Sequence, residues 1–171
     1  MKHELIVLTG LLIFSTTSLA LDTSGTQQIA EVEQRMQEVT PFAVDQTVES
    51  FTKTVHGGVQ HLVVKSAANT RQIKLIQAYL LKLANDFRKG DFSVSERIHG
   101  AGMPGLAQLK TAKPDDIKFE YVALANGAQI HYSTEYPLLV QALHFWFDAQ
   151  ASDHGNNEIP GHTQHHATPA E

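Results

Sequence analysis

Four side chains near the C-terminal end of the chain can bind a metal or move a proton: His144, Asp148, Asp153 and His154. They fall in TEYPLLVQALHFWFDAQASDHG, Thr134 to Gly155, beside the only tryptophan. His144 and Asp148 are four apart, a spacing that lets side chains meet on one face of a helix. His154 follows at the expected helix end, and His99 would add an imidazole if its loop folds over that end. Imidazole and carboxylate suit zinc, nickel or copper(II). Met103, four residues after His99, adds a thioether and tilts the choice towards copper. The expected site is thus a metal centre of His99, Met103, His144, Asp148 and His154, with copper or zinc as its ion. The competing reading has His144 hydrogen-bonding Asp148 at the helix flank, with Asp153-His154-Gly155 closing the helix.

Catalytic chemistry has little to stand on. The chain has no cysteine, which removes thiolate metal sites, disulfides and cysteine nucleophiles. No Gly-x-Ser-x-Gly elbow occurs. The glycine-rich HGAGMPG, His99 to Gly105, lacks the Lys-Ser/Thr pair of a phosphate loop. Asp115 and Asp116 sit in a turn, and no catalytic residue is assigned.

The elements that must position these groups read as follows. The first twenty residues resemble an export signal: Lys2 and His3, an apolar run from Leu5 to Phe14, then the small residues of Ser18-Leu19-Ala20. The run is too short for a stable membrane anchor, so the mature chain is expected to begin near Leu21 in the periplasm or outside the cell. Residues 21–50 read as a polar linker and an N-terminal helix, Gln27 to Val39, ended by Pro41. Residues 51–155 form the expected domain, and 156–171 a disordered histidine-rich tail with His162, His165 and His166. A net charge of −5 over 171 residues speaks against a nucleic-acid partner.

Inside the domain, a pattern occurs twice. Residues 51–90 give a hairpin around Gly57-Gly58 and then a helix capped by Asn69 or Thr70, with Ile73, Ile76, Leu80, Leu83 and Phe87 in one stripe. The preferred register places His56-Gly57-Gly58 in the loop, so that Phe51, Val55, Val59 and Val63 share a face. Residues 91–116 are expected to be a loop with one short helical turn, Leu106 to Lys110. Residues 117–155 give a second hairpin around Asn126-Gly127, pairing Tyr121 with Tyr132, then a helix with Thr134 or Glu135 at its cap and Pro137 in its first turn. Phe119, Tyr121, Ala123, Ile130 and Tyr132 should share one face. The fold class is α+β: two ββα units, an internal repeat, forming a four-stranded antiparallel sheet with two helices on one face.

Phe51-Thr52-Lys53-Thr54, His56-Gly57-Gly58-Val59-Gln60, Ile98-His99-Gly100, Met103-Pro104-Gly105-Leu106 and the segment from Ala142 to Gly155 together resemble a family of small exported bacterial proteins of unknown function. The resemblance covers residues 42–155. Members of that family often carry the label aspartate carbamoyltransferase. This chain has neither the Ser-Thr-Arg-Thr-Arg loop nor the His-Pro-x-Gln segment of that enzyme; Ala68-Asn69-Thr70-Arg71 is a faint echo of the first. The resemblance implies a fold-scale unit and no reaction. The expected role is non-catalytic binding or handling of a divalent transition metal. The alternatives are a structural or protein-interaction module, with an apolar face at Phe145 and Trp146 for an unknown protein partner, and a small periplasmic enzyme.

Overall fold

A computed structural model describes residues 20–154. The expected export signal apart from Ala20, the helix stop at Gly155 and the tail lie outside the described residues. The chain runs α1 (Ala20–Val39), a 3-10 turn (Val44–Gln46), β1 (Thr47–Thr54), β2 (Gly57–Val64), α2 (Thr70–Arg88), α3 (Ser93–His99), α4 (Leu106–Leu109), β3 (Lys118–Leu124), β4 (Gly127–Ser133) and α5 (Pro137–Asp153). The four strands form one antiparallel sheet in the order β1-β2-β4-β3. The second strand of each hairpin lies inside and the first lies at an edge, as two ββα units joined side by side require. No helix among the described residues is long and apolar enough to cross a membrane.

Helices α2 and α5 cover the same face of the sheet, since the rings of Phe87 from α2 and Phe147 from α5 both pack against Tyr132 of β4. Asn69 caps α2, its side chain accepting from the Gln72 N–H, and Ile73, Ile76, Leu80, Leu83 and Phe87 are buried as the stripe predicts. Pro137 opens α5 with Tyr136 at the cap, one or two residues later than expected. Thr134 is a brace instead: its hydroxyl donates to the Asp116 carbonyl (2.6 Å) and accepts from the Tyr136 N–H (3.2 Å). Trp146 and Phe147 of α5 are 1% exposed and join Phe51, Phe87 and Tyr132 in an aromatic core. Burial of each large ring contributes roughly 2–3 kcal/mol.

Both hairpins turn one or two residues earlier than expected. Thr54 pairs with Gly57 and Leu124 with Gly127, so the turns are Val55-His56 and Ala125-Asn126. The glycines begin the inner strands because other backbone and side chains lie too close for a Cβ. A Cβ on Gly57 would stand 2.2 Å from the Tyr132 carbonyl oxygen, one on Gly58 2.5 Å from the Phe147 ring, and one on Gly127 2.1 Å from the Leu62 carbonyl oxygen. In the second hairpin the slip is by two residues, so the predicted face survives: Tyr121 faces Ile130 and Phe119 faces Tyr132. In the first it is by three, an odd number, and the faces exchange. Phe51 pairs with Gln60, not Val63, and shares the helix-covered face with Glu49.

Two further segments differ from expectation. Helix α1 starts at Ala20, so residues 22–25 are helical and not a linker. The loop 91–116 contains α3, whose seven residues are too few to display a period but bury Ser95 and Ile98. Val32 and Met36 of α1 meet Ile98 of α3 in a small apolar cluster beside the main core.

The glycine contacts are tested by substitution. Gly58→Val should lower stability by about 3 kcal/mol, because the Phe147 ring and the Thr52 carbonyl oxygen, 2.8 Å from a Cβ, would have to move. Gly102→Ala, with nothing within 4 Å, should leave it nearly unchanged. Urea unfolding of both variants checks this; equal midpoints would refute the packing account.

Candidate functional site

The C-terminal end of α5, the C-terminal end of α3, the middle of α1 and strand β1 converge on one polar cluster. Asp153 is the last residue of α5 and His154 its C-cap; His99 is the last residue of α3. His99 Nδ1 lies 2.8 Å from Asp153 Oδ2, and the His99 side chain is 2% exposed. The carboxylate can only accept, so the proton sits on Nδ1 and the lone pair on Nε2. Asp153 Oδ1 accepts a second bond, 2.9 Å, from Gln28 Nε2 of α1. His154 meets His99 edge to face with ring centroids 5.0 Å apart, and stacks on Phe51 at 5.7 Å. Its Nε2 is 3.2 Å from Gln150 Oε1 and 3.9 Å from Glu49 Oε2.

From Glu49 the polar chain enters the sheet. Glu49 Oε1 accepts from Gln60 Nε2 (2.6 Å), and Gln60 Oε1 accepts from the hydroxyl of Tyr132, which is fully buried. Burial and the nearby Glu49 charge hold both Tyr132 and Tyr79 hydroxyls well above the usual phenol range. Met36, Glu49, Tyr79, His99, Trp146 and His154 are among the residues around a small cavity of about 20 Å³. That is room for one water molecule. The Trp146 indole Nε1 is buried without a hydrogen-bond partner among the described residues.

The expected metal residues divide into three places. His99 and His154 come together. Met103 is 6% exposed in the main apolar core, where its loop packs against α5: Gly105 has φ +79°, and a Cβ there would stand 2.1 Å from the Ala142 carbonyl oxygen. His144 and Asp148 do not bond each other; both reach the far end of β1. His144 Nε2 lies 2.8 Å from the Thr54 carbonyl oxygen, and Asp148 Oδ1 pairs with Lys53 Nζ at 2.6 Å. Ten residues of α5 separate His144 from His154, about 15 Å of helical rise. Their partners on β1, Thr54 and Glu49, are five residues apart, about 17 Å of strand. The two histidines cannot share an ion, and the five-residue metal centre expected from the sequence is not assembled. Among the described residues no group of three or more His, Cys, Asp or Glu side chains is placed to hold a metal ion. Trp146 is core and not surface, while Phe145 is 52% exposed.

Sequence reasoning overlooked Glu49, Gln28 and Met36. Glu49 was legible in principle: it lies two residues before Phe51, so a correct strand register puts both on the covered face. Gln28 and Met36 carried no signal beyond a short helix. No family model, curated protein or solved structure matches the chain.

The geometry of the site makes His99 a neutral imidazole. Burial pushes its pKa down from 6.5 to about 4, helped by His154 and Arg35, although the Asp153 hydrogen bond and charge pull the other way. An unfolded His99 takes up its proton below pH 6.5 while the folded one does not until about pH 4, so protonation favours unfolding between them. The protein should be steady above pH 6.5 in this respect and lose about 3 kcal/mol as pH falls towards 4. His99→Gln should remove this part of the slope. Denaturant titrations of both proteins from pH 4 to 8 measure the difference, and parallel profiles would refute the assignment to His99.

Proposed function

We propose that this protein is an exported, non-catalytic binding protein that holds a transition-metal ion at the His99–His154 pair. The observation that carries this reading is the orientation of His99. A buried carboxylate bonded to Nδ1 fixes the tautomer and raises the donor strength of Nε2, the arrangement by which proteins prepare a metal-binding imidazole. The neutral ring needs no deprotonation at neutral pH, and a second imidazole stands edge to face at 5.0 Å. Export rests on the sequence of the first twenty residues.

A second reading is favoured by the Gln28–Asp153–His99 bonds. They tie α1, α3 and α5 together and give a structural module a reason to bury these groups without any ion. Such a network stabilises a fold only if every member is satisfied.

Trp146 is the only tryptophan and borders the cavity, so its fluorescence reports on the site. The protein to titrate is the mature chain with His162, His165 and His166 changed to Ala, which silences the tail. With copper or zinc we expect one equivalent to bind and to alter Trp146 emission. His99→Ala or His154→Gln should abolish the response, with folding followed by circular dichroism. His144→Ala should bind as the parent does. Failure of the parent to bind either ion would refute metal binding and leave the structural module.

A further inference from the structure

Resting on the metal-binding reading, we propose that the ion is copper(I) and that the thioether of Met36 completes its site with His99 and His154. No three His, Cys, Asp or Glu side chains are grouped for an ion among the described residues. A closed zinc site of four nitrogen, sulfur or carboxylate ligands is therefore not built here. Two imidazoles are built, and an ion that settles there must accept a low coordination number and a soft third donor. Copper(I) does both, and thioethers select for it.

Met36 is the methionine the fold brings to this cavity, where Met103 was expected. It is 5% exposed, on the α1 face that carries Val32 and packs on Ile98, the residue before His99. Two hydrogen bonds hold that helix face in place: Gln28 Nε2 to Asp153 Oδ1 at 2.9 Å, and Arg35 Nε to the Ile98 carbonyl oxygen at 2.6 Å. One of them ends on the carboxylate that orients His99, so α1 and the imidazole are positioned together. Phe51 and Trp146 add aromatic surface to the cavity wall beside the two histidines. The Glu49 carboxylate, 3.9 Å from His154 Nε2, supplies negative charge to balance a monovalent cation without joining its ligands.

The test uses the mature chain with the three tail histidines changed to Ala, titrated anaerobically with copper(I) against a colorimetric copper(I) chelator and, separately, with zinc(II). Met36→Leu keeps volume and folding. It should weaken copper(I) by at least roughly tenfold, since even outer-shell changes at metal sites cost about that much, and leave any zinc(II) binding unchanged. X-ray absorption of the copper(I) form should show a sulfur neighbour in the parent and none in the variant. If Met36→Leu binds copper(I) like the parent, or no sulfur neighbour is seen, the Met36 assignment is overturned while His99-dependent binding still stands. If neither ion shows His99-dependent binding, the copper(I) inference and the metal-binding reading fall together.

Discussion

Helix α5 lies on the sheet at a height that only glycine admits. Phe147 presses onto Gly58 near the start of β2 and the backbone at Ala142 onto Gly105 in the loop before α4, while the Tyr132 carbonyl of β4 lies against Gly57 with Leu143 of α5 beside it. These approaches leave no space for a Cβ, and interiors packed to crystal density absorb such intrusions poorly. The consequences run outward from there. The glycines are held in the strand, so the β1–β2 turn falls on Val55-His56 and the register follows. The register turns Glu49 and Phe51 towards the helices. Because α5 runs along β1, its C-terminal end brings His154 to Glu49 and Asp153 to His99, while His144 and Asp148 meet the other end of the strand.

The polar cluster at that C-terminal end is the costly part of the interior. A buried carboxylate or imidazole without partners is strongly destabilising, and protein interiors answer by pairing each one. Here Asp153 accepts from both Gln28 and His99, and Glu49 accepts from Gln60, which in turn accepts from Tyr132. The Gln28–Asp153 bond ties α1 to this cluster, beside the Arg35 Nε bond to the Ile98 carbonyl and the small apolar cluster of Val32 and Met36 with Ile98. By comparison, the Lys53–Asp148 pair is exposed on both sides and contributes little to stability. The arrangement thus couples the attachment of α1 to the orientation of His99.

Much of the fold was legible locally. The α2 stripe, its Asn69 cap, Pro137 at the start of α5 and the doubled hairpin–helix pattern all appear where the sequence places them, because each depends on neighbours within a few residues. The second hairpin kept its faces through an even slip, its aromatic alternation being strong on one side only. The first hairpin did not. Phe51 with Val59 and Val63 makes a plausible apolar face, and nothing within the segment says that Phe147, almost ninety residues later, will occupy the space over Gly58. Helix α3 escaped for a similar reason: it is too short to show a period and is helical by virtue of what it packs against.

The candidate site divides along the same line. Residue type and short spacing suffice to single out His99, His154 and Asp153 as groups with chemistry, and to place the last two at a helix end. They suffice also for the α+β class and the two ββα units, since periodicity is a property of the chain itself. Which groups meet is a different kind of fact. The i, i+4 spacing of His144 and Asp148 made them a pair on paper, yet both found partners on β1, and His99 crossed fifty-four positions to reach Asp153. Contacts over such separations depend on strand register and on how closely α5 approaches the sheet, and those are settled only when the whole core closes. The tertiary structure therefore chose Glu49, Gln28 and Met36 as the companions of the histidine pair, while local pattern had supplied only the pair's members.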